Sequence, residues 1–284
     1  MTDQGRPRLG ELLLGTEGLA LMRLAFTGEE AARRDRVAEM RDLLDRMDDD
    51  DALADWLDGE EHGLDLGYAI WAETYDDRMR LVTVESDAVQ GFIDQLPEGA
   101  EVLDAACGTA RHGAYAASRG HRLTGVDRSV DMLAKAGAKL PDTVFLEGDL
   151  EALPVPDAAF DAVLCGLSLV HLPELDRVFA EFARVLRPGG TLIISDIHPM
   201  PITLGWQAQF RGTDGLPVFI RLNRHWLSDY VTAASTAGLM VSACIEPQLT
   251  AESVRTPAGE YLAEANRQAW VGIPAVVVWR FTKA

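Results

Sequence analysis

Three aspartates at the predicted ends of successive strands are the residues most able to do chemistry. Asp104 ends an apolar run that begins at Val102, and Asp127 and Asp149 follow at intervals of one strand–helix unit each. Because the carboxyl ends of parallel strands meet at one edge of a sheet, ligands bind there. We therefore expect the three carboxylates to line a single crevice.

The turn after Asp104 indicates which ligand groups could bind at this edge of the sheet. It consists of small residues up to Ala110 and leads into a predicted helix, which places backbone N–H groups and a helix N-terminus at the mouth of the sheet. A carboxylate at this point repels a pyrophosphate and attracts an ammonium group. Gly108 is the one glycine retained in the turn. Ala106 and Ala110 stand where further glycines would be expected, and we expect negative φ angles there, which alanine tolerates.

Each acid can be assigned to one part of a cofactor that carries an amino-acid head. Asp104 would face the ammonium group, and Asp127 would accept hydrogen bonds from two ribose hydroxyls. Asp149, with the backbone N–H of Leu150, would recognise an adenine edge. This set fits S-adenosylmethionine better than NAD, for which a G-x-G-x-x-G turn without an acid at the strand tip is expected.

The alternation of strands and helices between about residues 100 and 200 predicts the fold. It indicates a parallel sheet with helices on both faces. Two later apolar segments, LMVSACIEP and PAVVVWRFTK, are expected to form an antiparallel pair at the sheet edge. We predict an α/β, Rossmann-like fold with a mostly parallel seven-stranded sheet and an antiparallel last strand.

The remaining segments predict the organisation of the chain. Residues 1–64 carry apolar residues at helical spacing and are interpreted as an N-terminal helical extension or cap. Residues 65–284 would form the main domain. A less regular segment at about 199–226, rich in proline and glycine, is interpreted as a lid insertion.

Five motifs in this order resemble the class I S-adenosylmethionine-dependent methyltransferases. The resemblance is to the small-molecule type that includes the ubiquinone and menaquinone C-methyltransferases, and it covers roughly residues 65–200. The motifs are YAIWAETYDD, DAACGTA, GVDRSVDML, GDLEALPVPDAAFDAVLC and VLRPGGTLIISD. The resemblance implies the class I fold, S-adenosylmethionine as cofactor and methyl transfer as the activity. The cofactor-binding positions predicted are Tyr75, Asp104, Ala106, Gly108, Asp127, Arg128, Met132, Asp149, Leu150 and Cys165.

Methyl transfer is a displacement at a sulfonium, so the enzyme must align the reactants and supply a base if the nucleophile loses a proton. His171 and His198 follow the fourth and fifth predicted strands, and His225 precedes the helix WLSDYV. These histidines, with Tyr75, which the resemblance places over the cofactor, are the candidate catalytic residues.

The lid segment carries the candidate substrate-binding residues. Arg211, Arg224 and a third arginine form a basic cluster in a chain of net charge −19. Together with Trp206 and His225 they predict an anionic acceptor, such as a carboxylate or a prenyl diphosphate. Interleaved aromatic residues would stabilise a cation formed after methylation of an alkene.

Several functions stay open at this point. Carbon methylation in specialised or isoprenoid metabolism is favoured because the resemblance is nearest to the quinone-type enzymes, and small-molecule O-methylation is the alternative. A further alternative is a cofactor-binding protein of this fold without methyl transfer, such as a cyclase or a binding module.

Composition constrains partners and location. The net charge of −19 and the pI of about 4.6 oppose binding to nucleic acid. The three cysteines lack C-x-x-C spacing, which favours a reducing compartment and no structural zinc. Without a leader pattern or a long apolar run, we expect a cytoplasmic protein with no membrane span and no metal. Its partner would be a small-molecule substrate, and a homodimer is left open.

Overall fold

The computed structural model describes residues 8–54, 59–75, 80–212 and 215–284. The helices are α1 (Leu9–Leu24), α2 (Glu30–Arg46), α3 (Asp51–Ala54), α4 (Leu64–Trp71), α5 (Arg80–Ile93), α6 (Arg111–Ser118), α7 (Val130–Lys139), α8 (Asp176–Val185), α9 (Pro199–Thr203), α10 (Leu227–Thr236) and α11 (Ala263–Trp270). The strands are β1 (Glu60–Glu61), β2 (Glu101–Ala105), β3 (Arg122–Asp127), β4 (Val144–Glu147), β5 (Phe160–Gly166), β6 (Leu186–Ile197), β7 (Ala208–Arg211), β8 (Pro217–Ile220), β9 (Leu239–Ile245) and β10 (Val276–Lys283).

A seven-stranded sheet lies at the centre, in the order β4-β3-β2-β5-β6-β10-β9. The pairs from β4 to β6 are parallel, and β10 is antiparallel to both β6 and β9. The predicted α/β fold with an antiparallel last strand is therefore confirmed. The expected antiparallel pair of β9 and β10 lies at one edge of the sheet, with β9 outermost.

The sheet is buried on both faces because its strands are almost continuously apolar. Successive residues point to opposite faces, so Val102 packs in one core cluster and Leu103 in the other. Helix α5 covers the first face with Val89 and Ile93, and helix α8 covers the second face with buried phenylalanines. Both layers fix the strand ends that carry the acids.

The lid segment forms a second, small sheet in the order β1-β8-β7. Strand β1 pairs in parallel with β8, and β7 and β8 pair antiparallel. The N-terminal segment therefore includes a strand that joins the lid, in addition to the predicted helices. Helix α1 packs against α2 and α11. The predicted boundary between residues 64 and 65 stays a prediction.

Within the described ranges, no helix is both long enough and apolar enough to cross a bilayer.

Candidate functional site

A cavity of about 260 Å³ opens at the carboxyl ends of the parallel strands. Asp104 lines it from the end of β2, Asp127 from the end of β3, and Asp149 from the segment after β4. The structure thus brings the three acids into one cavity, since parallel neighbouring strands end at the same side of the sheet.

Asp104 is a buried carboxylate whose side chain is only 2 % exposed. Its Oδ2 atom accepts a hydrogen bond from the N–H of Gly113 at 2.9 Å. Burial raises the pKa of Asp104 to about 7, while the Gly113 N–H and the nearby Arg111 oppose the shift. A cation bound beside this carboxylate would offset the cost of its burial.

Asp127 is held by two backbone donors from neighbouring turns. Its Oδ2 accepts from the N–H of Gly108 at 2.7 Å, and its Oδ1 accepts from the N–H of Ser129 at 2.8 Å. Burial raises the pKa of Asp127, and these backbone hydrogen bonds oppose the rise. A carboxylate has about four acceptor positions, so Asp127 can still accept from a hydroxyl group.

Asp149 is oriented by the segment that follows it. Its Oδ1 accepts from the N–H of Glu151 at 3.0 Å, and the adjacent Leu150 also lines the cavity. This arrangement leaves a carboxylate oxygen and an apolar side chain available to a planar ring.

The expectation of negative φ in the turn after β2 was wrong. Ala106 and Ala110 have φ values of 56° and 59°, and Gly108 has 51°. Two hydrogen bonds hold this conformation: a tertiary bond from Cys107 N to Val126 O at 3.0 Å, and a bond within the turn from Ala110 N to Cys107 O at 2.7 Å. A left-handed conformation costs an L-residue about 1–2 kcal/mol, so the turn forms in spite of its alanines.

Most of the predicted cofactor positions line this cavity. Besides the three acids, these are Tyr75, Ala106, Gly108, Arg128 and Leu150. Their roles toward the cofactor stay predictions.

Met132 and Cys165 do not line the cavity. Met132 is 1 % exposed beneath helix α7, and Cys165 packs in the core on one face of the sheet. Because side chains alternate along β5, it is the next residue, Gly166, that reaches the cavity. A contact of Cys165 with the cofactor stays a prediction.

His171 is the predicted catalytic histidine that the structure places at the cavity. It ends the short 3₁₀ turn Leu169–His171, and its Nε2 lies 2.8 Å from the hydroxyl of Tyr68. Its Nδ1 is buried and has no hydrogen-bond partner among the described residues. Burial lowers the pKa of His171 to about 4, so the ring is neutral at physiological pH.

His198 and His225 lie outside the cavity lining, in contrast to their predicted catalytic roles. His198 lies 3.0 Å from Glu246 through Nε2 and accepts the N–H of Met200 at Nδ1. The Nε2 of His225 lies 2.8 Å from the carbonyl oxygen of Leu172. Both rings are buried by contacts with the fold itself.

The predicted substrate residues of the lid do not line the cavity either. Trp206 packs on Trp270, with ring centroids 5.3 Å apart. Arg211 donates to the carbonyl of Gly215 at 2.7 Å, and the guanidinium of Arg224 lies over the ring of an adjacent tryptophan.

The hairpin of β7 and β8, here called the lid hairpin, explains why these side chains do not line the cavity. Its apolar side chains, Phe210, Val218 and Ile220, pack toward helix α4, so its charged side chains face solvent. The third arginine of the predicted cluster, Arg221, pairs with Glu61 on the surface. An anion site made of these arginines is therefore not assembled in the structure.

Sequence reasoning missed Tyr68, His112 and Ser168, which line the cavity. The spacing of seven between Tyr68 and Tyr75 could have placed both tyrosines on one side of a helical segment. His112 lies in the first turn of α6, directly after the turn that follows β2. Its Nε2 is 3.3 Å from the buried carboxylate of Glu85, a contact that no local pattern signals.

Residues 103–194 match a family described as a methyltransferase domain. The matched segment runs from within β2 to within β6. Three curated relatives are similar to it: malonyl-acyl-carrier-protein O-methyltransferase of Pectobacterium atrosepticum, demethylmenaquinone methyltransferase of Renibacterium salmoninarum and 27-O-demethylrifamycin SV methyltransferase of Amycolatopsis mediterranei. They are 35%, 37% and 33% identical over 38%, 36% and 56% of this chain. The matches cover 44%, 43% and 60% of the relatives, so the chain spans about half of their length.

Solved structures show the same fold. An S-adenosylmethionine-dependent methyltransferase from Mesorhizobium loti superposes with a TM-score of 0.54 at 21% identity, over 70% of this chain and 98% of that chain. The [4+2]-cyclase SpnF superposes with a TM-score of 0.52 at 18% identity, over 80% of this chain and 97% of that chain. These superpositions agree with the class I methyltransferase fold that the motifs resemble. The family and the fold imply S-adenosylmethionine as the cofactor.

The carboxylates that line the cavity fit this cofactor. A buried carboxylate with a raised pKa suits an ammonium group, and a second carboxylate with a free acceptor position suits a ribose hydroxyl. The cavity volume of about 260 Å³ is also close to the lower end of small-molecule sites, which begin at roughly 300 Å³.

Proposed function

We propose that the protein is an S-adenosylmethionine-dependent methyltransferase that acts on a small metabolite. The observation that carries this proposal is the convergence of Asp104, Asp127 and Asp149 in one cavity at the ends of parallel strands. Their chemical differences support separate tasks: Asp104 is buried and suited to a cation, whereas Asp127 is oriented by backbone donors and suited to hydroxyls.

The bound cofactor would supply an electrophilic methyl group on a sulfonium. The chain would align it from both sides. Asp104 would hold the ammonium of the amino-acid head, and Asp127 would hold the ribose. Asp149 and Leu150 would contact the adenine. Alignment of this kind accounts for much of the rate of a displacement reaction.

The acceptor side of the cavity supports a proton-accepting role for His171. Nδ1 lies below the solvent-accessible surface, so a proton would enter the ring at Nε2, which lies 2.8 Å from the hydroxyl of Tyr68. Burial keeps the ring neutral and able to accept a proton. A weak base is sufficient here, since the proton of the nucleophile becomes acidic as its new bond to carbon forms.

This geometry favours an acceptor that loses a proton on methylation, at a hydroxyl oxygen or at an activated carbon. The lining near His171 is aromatic and apolar, with Tyr68, Tyr75, Leu64 and Leu172, which suits a largely neutral, apolar metabolite. Carbon methylation stays the first proposal and O-methylation the second. A prenyl diphosphate acceptor has lost its support, because the lid arginines do not line the cavity.

Methyl-labelled S-adenosylmethionine, incubated with the protein and a panel of phenols, quinols and enolisable keto acids, tests the function. We expect label in at least one product and inhibition by S-adenosylhomocysteine. Tight binding of S-adenosylhomocysteine with no labelled product across the panel would contradict methyl transfer and favour a cyclase or binding module. A His171→Asn variant should bind S-adenosylhomocysteine normally but transfer the label more slowly.

A further inference from the structure

The short turn that carries His171 is held from outside the cavity by the segment after β8. The buried ring of His225, 5 % exposed, lies against its back. The Nε2–H of His225 donates to Leu172 O at 2.8 Å and to Leu169 O at 3.2 Å. One imidazole therefore bridges the two ends of the turn.

Asn223 holds the middle of the same turn. Its backbone N–H donates to Val170 O at 2.6 Å, and its side-chain amide donates to the same oxygen at 3.2 Å. Together with the contacts of His225, these bonds give three carbonyls of the turn a donor from one short segment.

The opposite side of the turn rests on the end of β6. The N–H of Val170 lies at the buried carboxylate of Asp196, which also accepts from the hydroxyl of Tyr230 at 2.8 Å. The ring of Tyr230 in turn packs edge-on against His225, with centroids 6.0 Å apart. Polar contacts thus hold the turn from both sides.

The same lid insertion also positions the hydrogen-bond partner of His171. Tyr68 packs against the apolar cluster of Phe210, Val218 and Ile220 on the lid hairpin. The hairpin leads directly into Asn223 and His225. One continuous segment of the chain therefore contacts both members of the Tyr68–His171 pair.

We propose that His225, assisted by Asn223, is a positioning residue that fixes the turn so that His171 stays buried against Tyr68 on the acceptor side. The catalytic meaning of this position rests on the proposed function. The positional claim does not, because it concerns the ring of His171 in the protein without ligand. His225 acts through His171 and does not itself contact the cavity.

The test follows the ring of His171 by NMR in protein labelled at histidine Cε1, with its signal assigned by a His171→Asn variant. In the wild type, the signal should stay constant between about pH 8 and pH 5, because the ring is buried. In His225→Phe, two carbonyls lose a donor, and the loosened turn should admit water. The signal should then titrate with a midpoint near the unperturbed value of about 6.5.

Two further variants separate positioning from general destabilisation. His225→Gln keeps an N–H donor at the end of the side chain and should restore the constant signal. His198→Phe removes a similarly buried histidine that is bonded to Glu246 and not to the turn, and should leave the signal of His171 constant. Asn223→Ala removes one of two donors to Val170 and should give a smaller response than His225→Phe.

A constant His171 signal in His225→Phe protein that is folded by circular dichroism would overturn the proposal, as would an equal response in His198→Phe. Calorimetric titration measures binding of S-adenosylhomocysteine and so tests the proposed function separately. If S-adenosylhomocysteine fails to bind while the His171 signal behaves as expected, the proposed function is wrong and the positional inference stands.

Discussion

At the scale of single residues, environment gives similar side chains different chemistry. Asp104 and Asp127 are both aspartates at strand ends, but Asp104 accepts one backbone N–H in a buried position, whereas Asp127 accepts two. Burial likewise keeps His171 neutral. The number of donors and the degree of burial therefore support the proposed tasks, in which Asp104 meets a cation, Asp127 meets hydroxyls and His171 accepts a proton.

Replacement of Asp127 by alanine should weaken binding of S-adenosylhomocysteine. Hydrogen bonds to a charged group contribute about 1.5–3 kcal/mol each, so we expect the dissociation constant to rise on the order of 100-fold. Isothermal titration calorimetry measures the change. Asp142→Ala, which alters an exposed aspartate before β4, is the matched control and should bind like the wild type. An unchanged constant in Asp127→Ala would remove Asp127 from the cofactor site.

Binding of S-adenosylhomocysteine should strengthen as the pH rises toward 7. In the free protein the pKa of Asp104 is raised from 3.8 to about 7, so the carboxyl is largely protonated below this value. An ammonium group favours the carboxylate, and binding must therefore release a proton. We expect affinity to fall by up to about tenfold per pH unit below the pKa.

Calorimetry in two buffers of different ionisation enthalpy measures that proton release. Asp104→Asn should bind more weakly and lose the pH dependence between about pH 5.5 and pH 7. Equal proton release in both proteins would show that another group is responsible.

At the scale of elements, the approach of α6 to β2 is what brings the turn, the acid and the helix together. Gly113 on α6 lies so close to Asp104 that an added Cβ would meet Oδ2 at 2.7 Å and a side-chain carbon of Leu123 at the same distance. The glycine is therefore required by packing, although its place in a helix costs intrinsic stability.

Gly113→Ala should destabilise the protein and displace the Asp104 carboxylate. We expect a loss of about 1–3 kcal/mol from overpacking, together with weaker binding of S-adenosylhomocysteine. Gly137→Ala is the matched control, since Gly137 lies in helix α7 with open space around its Cβ position. This change should stabilise by up to about 1 kcal/mol. Urea denaturation measures both, and equal effects of the two substitutions would contradict the packing argument.

At the scale of the whole molecule, the N-terminal segment is joined to the rest at two separate places. Strand β1 extends the lid sheet, and helix α1 packs on α11. Within the segment itself, a charge cluster joins α1 and α2, in which Arg36 lies 3.4 Å from Glu17 and 2.8 Å from Glu39. Two carboxylates thus share one arginine.

The packing of α1 against α2 should weaken at alkaline pH. Burial, followed by the hydrogen bond with Glu39, raises the pKa of Glu17 from 4.5 to about 8, against the attraction of Arg36. Because the folded pKa lies above the unfolded one, this contribution to stability is present below about pH 4.5 and is lost as the pH rises to about 8.

Glu17→Gln should remove this dependence and be more stable than the wild type at about pH 9, by about 1 kcal/mol after allowance for solvent screening. Thermal denaturation between pH 6 and 9 at roughly unit steps measures the effect. Glu30→Gln, which breaks an exposed pair with Arg34, should change stability by less than about 0.5 kcal/mol at every pH. A parallel pH profile for Glu17→Gln and the wild type would exclude Glu17 as the titrating group.

The sequence by itself determined the central sheet and the acids at its edge. Apolar strands alternating with amphipathic helices leave few ways to bury both faces of a sheet, and strand ends then place Asp104, Asp127 and Asp149 side by side. These features depend on local patterns and on a general rule of parallel sheets, so they could be predicted without coordinates.

Only the tertiary structure decided the acceptor side. Long-range contacts brought Tyr68 to His171, turned the lid arginines to solvent and placed His225 behind the turn instead of in the cavity. The same kind of contact imposed positive φ on Ala106. Such arrangements depend on which elements pack together across many residues, and the spacing of residues along the chain does not contain that information.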